Sequence, residues 1–181
     1  MMAAIVFISG LTCGQNCAFG VNGLIQMFES KIVIGNNFTI ERGYTIRALR
    51  NSKIEIGEDC MLSYNINIRT NDGRSIFDVH SGKNINSNEE MCKNRNIKLG
   101  NHVWVGTNSL VMYNTDIADG SVIGAMSMVK SKIPNNCIAA GIPARVIRKD
   151  IAWSRNNCSE DMNECGLEYI ALTQNEGFAI E

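Results

Sequence analysis

From Leu99 onward an aliphatic residue returns every six positions: Leu99, Val105, Val111, Ile117, Ile123 and Val129. Two positions before each stand Ile97, Val103, Ser109, Thr115, Ser121 and Ser127, all apolar or small. Alternate residues of an extended chain share a face, so both sets point the same way. The same ladder occurs earlier in two pieces. Ile34, Ile40 and Ile46 follow Ile32, Phe38 and Tyr44; Ile56, Leu62 and Ile68 follow Ile54, Cys60 and Ile66. A helical period is not sustained, and Gly, Asn and Ser interrupt every few residues. Three hexapeptides make one triangular coil of about 18 residues. The pattern predicts coils over 32–50, 54–70, 97–113 and 115–131, whose stacking buries a core that no single repeat buries alone.

Two interruptions break the ladder. Four extra residues separate the first two coils, and residues 71–96 form a long excursion between the second and third. Long loops in compact domains are functional or disordered. Ile76, Phe77 and Ile85 predict that this one packs on something, at least in part. Residues 1–31 fit the ladder poorly and are expected to cap the open end of the core. The solenoid is placed at 32–149. An acidic tail follows over 150–181, with a short helix expected around 159–173. The frequent asparagines suit tight corners, because Asn tolerates left-handed backbone. The period does not set the hand of the coils, although general connection rules favour right-handed crossovers.

Composition narrows the function. The 181 residues suit one domain, and a net charge of −1 gives no pull toward nucleic acid or membrane. No stretch approaches the ~20 apolar residues of a membrane helix. Met1–Ile8 is apolar but has no Lys or Arg before it, which reads against a signal peptide and for a cytoplasmic protein. The seven cysteines form no C-x-x-C pair, as expected of free thiols in a reducing compartment. A three-histidine zinc site is excluded in a chain with two histidines, and no metal is expected.

Three segments carry a resemblance. They are Ile97-Lys98-Leu99-Gly100-Asn101-His102-Val103-Trp104-Val105-Gly106, then Ile123-Gly124-Ala125-Met126-Ser127-Met128-Val129, then Ala140-Gly141-Ile142-Pro143-Ala144-Arg145-Val146-Ile147. Over about residues 32–153 the chain resembles the hexapeptide-repeat acetyltransferases. That resemblance implies an all-β fold, a left-handed parallel β-helix with an extended loop and a short C-terminal tail. It also implies a homotrimer and acetyl-CoA as co-substrate. Ile68-Arg69-Thr70-Asn71-Asp72-Gly73-Arg74-Ser75-Ile76-Phe77-Asp78, followed by Gly82-Lys83-Asn84-Ile85-Asn86, is similar to the subgroup that O-acetylates capsule or lipopolysaccharide sugars. The Asp150-Ile151-Ala152-Trp153 run fits the same subgroup. The implied acceptor is a sugar or polysaccharide.

One position departs from that subgroup. Where its catalytic histidine stands, this chain has Arg74. Acyl transfer needs a base for the attacking hydroxyl, and a guanidinium stays protonated. One reading is that Arg74 only binds a charged substrate, in a chain whose catalysis is weak or lost; the other keeps a base elsewhere. The base candidates are His80, in the same loop, and His102, at a repeat corner where a structural hydrogen bond is the competing role. Asp72 and Asp78 either orient a base or bind sugar hydroxyls, or they form turns. Trp104 precedes an inward anchor and so faces outward, flanking the acyl-CoA arm or the sugar, or packing at a subunit interface. Lys130, Lys132, Arg145, Arg148 and Lys149 suit the phosphates of CoA. Gly106, Gly124 and Ala125 let pantetheine lie along the coils, or serve corner geometry.

Overall fold

The computed structural model describes residues 4–6, 10–87 and 95–174. Most of Met1–Ile8, residues 88–94 of the long excursion and residues 175–181 of the tail lie outside the described residues. Successive strands fall on three sheets in turn. Sheet A holds β1 (Ala4–Val6), β4 (Leu24–Phe28), β7 (Thr45–Leu49), β10 (Asn67–Arg69), β13 (Leu110–Met112) and β16 (Met128–Val129). Sheet B holds β2 (Leu11–Cys13), β5 (Lys31–Ile34), β8 (Lys53–Ile56), β11 (Ile97–Leu99), β14 (Thr115–Ile117) and β17 (Lys132–Ile133). Sheet C holds β3 (Ala18–Phe19), β6 (Thr39–Ile40), β9 (Met61–Leu62), β12 (Trp104–Val105), β15 (Val122–Ile123) and β18 (Ile138–Gly141). These strands pair in parallel; β19 (Ala144–Arg148) then turns back antiparallel on β18. The chain thus winds B, C, A around a triangular prism.

The ladder is the interior of that prism. Ile25, Ile46, Ile68, Val111 and Val129 stack in register on sheet A. Ile34, Ile56, Leu99, Ile117 and Ile133 stack on sheet B. Ile40, Leu62, Val105 and Ile123 stack on sheet C. All are buried, and each such side chain contributes about 2 kcal/mol of apolar burial. The small polar residues of the second column are satisfied inside. Ser109, Thr115 and Ser121 donate to the carbonyls of Gly124, Val129 and Pro134. Ser127 Oγ accepts the Gly141 amide. Buried hydroxyls cost little when paired in this way.

Each corner is a column of left-handed residues. Asn16, Asn37, Asp59, His102, Gly120 and Asn136 line the edge between sheets B and C, with φ from 51° to 68°. Asn22, Gly43, Asn65, Asn108 and Met126 line the edge between C and A. The 71–96 excursion leaves from the third edge, between A and B, because it joins β10 to β11.

Two expectations need correction. Residues 11–28 are a further coil of the solenoid rather than a separate cap. Its inward positions are Leu11, Cys13, Cys17, Phe19, Gly23 and Ile25, too mixed to extend the aliphatic ladder visibly. Gly23 is bare because the Tyr44 ring of the next coil fills the space a Cβ would need. The expected helix around 159–173 is two short 3-10 turns, Met162–Glu164 and Leu167–Tyr169. Gly166 stands between them in the left-handed region, which breaks any longer helix.

Candidate functional site

The excursion starts as a tethered loop. Asp72 Oδ2 accepts from the Tyr113 hydroxyl at 3.2 Å and from Asn86 Nδ2 at 3.3 Å, and lies 3.5 Å from Arg95 Nη1. Arg95 is buried over the Tyr113 ring and donates through Nη2 to the Asn86 carbonyl. Lys130 sits over the same ring and donates to its hydroxyl at 3.0 Å. Asn86 in turn donates to the Arg74 carbonyl and accepts the Ile76 amide. This polar base fixes Asn71–Ser75 against the A–B edge. There a cavity of about 370 Å³ is lined by Asp72, Gly73 and Arg74 together with Phe28, Arg50 and Arg95.

Beyond that base the loop is a small hairpin, closed by an antiparallel bridge between Phe77 and Asn84. Asp78 shapes its tip. Its carboxylate accepts from the Ser81 hydroxyl and amide, both at 2.7 Å, and these bonds hold its pKa below the usual carboxylate range. Asp78 is thus a turn former. His80 is exposed in the tip and does not line the cavity. Ile76, Phe77, Val79 and Ile85 are more than half exposed, so the expected packing of this segment is not met among the described residues.

His102 is corrected as a base. Its ring is buried, stacked on Trp153 with centroids 4.0 Å apart and on Tyr169 at 5.1 Å. Nδ1 lies 2.6 Å from Asp59 Oδ2, and Nε2 lies 3.0 Å from the Trp153 carbonyl. Both ring nitrogens are engaged and the ring is buried, so neither nitrogen is open to a substrate hydroxyl. The ring instead anchors a strap formed by residues 150–174 along the B–C edge. Trp153 Nε1 donates to the His102 carbonyl at 2.9 Å. Arg155 reaches Asp59 Oδ1 at 2.6 Å, Thr39 Oγ1, and the carbonyls of Asn37 and Cys60. The strap returns to Asn136, which donates to the Tyr169 carbonyl, and ends on Thr173 against Asp150.

Trp104 faces outward from sheet C as expected, and packs against the strap. Its Nε1 donates to Ser63 Oγ at 3.2 Å, and its ring is tilted on Trp153 at 5.9 Å. It borders a second cavity of about 460 Å³, with Val122, Ile138, Arg148, Ile151 and Trp153. The basic residues do not gather in one patch. Lys130 follows β16 of sheet A, Lys132 lies in β17 of sheet B, and Arg145 and Arg148 lie in β19 on sheet C. Arg148 is the one that shares a cavity with Trp104. Gly106 and Gly124 are required by coil stacking: a Cβ on Gly106 would come within 2.7 Å of the Ala125 amide nitrogen, and one on Gly124 within 2.9 Å of Ala140 Cβ.

Sequence reasoning missed the roles of Tyr113 and Arg95, and of the strap residues Asp59, Arg155 and Tyr169. Asn86 and Trp153 stood in recognised motifs, without a role assigned to either. Among the described residues no group of three or more metal-ligating side chains occurs. Among them, too, no helix is long and apolar enough to cross a membrane.

No family model matches the chain. It is 36% identical over 148 residues to the polysialic acid O-acetyltransferase of Escherichia coli O1:K1 / APEC, covering 80% of this chain and 46% of that protein. The chain therefore spans about half the length of that curated relative. A solved polySia-specific acetyltransferase is 25% identical, with a TM-score of 0.54, covering 83% of this chain and 85% of that one. A maltose O-acetyltransferase from Clostridium difficile 630 is 28% identical, with a TM-score of 0.54, covering 75% of this chain and 67% of that one. The shared fold is the left-handed parallel β-helix, so the hand opposes the general crossover rule.

Proposed function

We propose, on the premise that the chain belongs to the hexapeptide-repeat acetyltransferase family, that it is an acetyl-CoA-dependent O-acetyltransferase acting on a bacterial surface-polysaccharide sugar. The supporting observation is the loop Asn71–Arg74. It stands where the sugar O-acetylating subgroup keeps its reactive loop, and it lines the A–B cavity. The sugar hydroxyl attacks the thioester carbonyl, and donors at the site carry the oxyanion. Acetyl-CoA places the reaction in the cytoplasm.

The working unit in this reading is a homotrimer. The A–B edge of a triangular prism is the edge opposite sheet C. Within one chain the loop cavity and Trp104 are therefore separated by the core. A neighbouring subunit that lays its loop against sheet C would join them, and the exposed Ile76, Phe77, Val79 and Ile85 give that contact an apolar surface. Arg148, beside Trp104, suits a CoA phosphate there.

The test is CoA release across candidate glycans, measured chromatographically, with wild type beside Arg74→His. Turnover by wild type with a sugar acceptor is the expected result. Binding of glycan without turnover would support a second reading, a β-helix that binds but no longer catalyses. That reading rests on Arg74. A large gain of activity in Arg74→His would establish it.

A further inference from the structure

We infer that Asp72 is the catalytic base of this chain, taking the proton that a histidine at position 74 would otherwise take. The inference rests on the acetyltransferase reading above. Arg74 cannot accept a proton, His102 has both ring nitrogens engaged, and His80 stands outside the cavity. Among the described residues Asp72 is the carboxylate lining the A–B cavity. Its two oxygens differ. Oδ2 is held by Tyr113, Asn86 and Arg95, which fix the side chain's orientation. Oδ1 carries no hydrogen bond among the described residues, and the side chain is 24% exposed. An ionised carboxylate with one oxygen anchored and one free is poised as a proton acceptor.

The step balances. The acceptor O–H proton passes to Asp72 Oδ1 as the oxygen bonds to the thioester carbonyl carbon. The tetrahedral intermediate collapses and its C–S bond breaks. The proton on Asp72 then passes to the CoA sulfur, leaving the acetyl ester and CoA thiol. Arg74, two residues on, supplies N–H donors for the developing negative charge.

The test uses the full chain with acetyl-CoA, a glycan panel and water as acceptors. Asp72→Asn keeps an acceptor for Tyr113, Asn86 and Arg95, and is expected to lose about 100-fold or more in turnover while its melting midpoint holds. Added formate is expected to restore part of the turnover of Asp72→Ala. The acidic limb of wild-type turnover is expected to be unchanged in His80→Ala. Three results would each overturn the inference: Asp72→Asn within threefold of wild type, no formate rescue, or an acidic limb that His80→Ala removes. If Asp72→Asn fails to fold, the comparison of limbs decides. Absence of wild-type CoA release with every glycan and with water would defeat the acetyltransferase reading itself, and with it the inference.

Discussion

Cys60 points into the core from sheet C's edge, and its thiol donates to the Gly100 carbonyl at 3.1 Å. Burial pushes its pKa up to about 12. The folded state thus holds a proton that the unfolded chain releases near pH 9, so stability is full below that value and is lost as pH rises through about 12. Burial shifts Cys137 and Tyr44 in the same direction. The melting midpoint is expected to fall steadily across that window, and Cys60→Val to flatten the fall. A second residue-scale prediction concerns Asp59, which accepts from both His102 and Arg155. Asp59→Ala leaves the His102 ring and the Arg155 guanidinium without their shared acceptor. It is expected to cost about 3 kcal/mol in urea unfolding, more than an exposed ion pair would.

At the scale of elements, legibility follows how local the cause is. The ladder from Leu99 to Val129 was readable because each anchor has one task, filling the prism, and repeats it every six residues. The first coil was hidden because its inward positions include Cys13, Cys17 and Gly23, and because Gly23 and Phe19 answer to the Tyr44 and Phe38 rings of the coil above rather than to a period. The strap was hidden for a different reason. Trp153, Arg155 and Tyr169 recognise Asn37, Asp59, His102 and Asn136, which become one column only after the coils stack. Neither hydrophobic period nor spacing records that column. The loop was legible as chemistry through Asp72 and Arg74, while Tyr113 and Lys130, which support it, lie one and two coils away. Its hairpin carries a prediction of its own. In the proposed homotrimer Phe77→Ser removes about 2 kcal/mol of apolar burial at each of three subunit contacts. Sedimentation is expected to show dissociation at protein concentrations about a hundredfold higher than for wild type.

At the scale of the molecule, the proposed homotrimer predicts complementation, because the core separates loop and Trp104 within one chain. Asp72→Asn and Trp104→Ala are each expected to be inactive alone. Refolded together as mixed trimers, they are expected to regain roughly a quarter of the wild-type sites, since a site then draws its two halves from different subunits. Co-refolding followed by a CoA-release assay checks this, and no recovery would place both residues in one subunit's site. The strap has a consequence of another kind. A stacked array behaves as a line of neighbours, each feeling only the next, so it should peel from its ends as temperature rises. Arg155 lies in the segment after the last coil, yet it holds Asn37 and Thr39 of the second. The line is closed into a loop, and the coils between must let go together. A chain ended at residue 149 is expected to melt earlier and over a broader range in calorimetry, because removing the strap turns one all-or-none event back into a sequence of fraying steps.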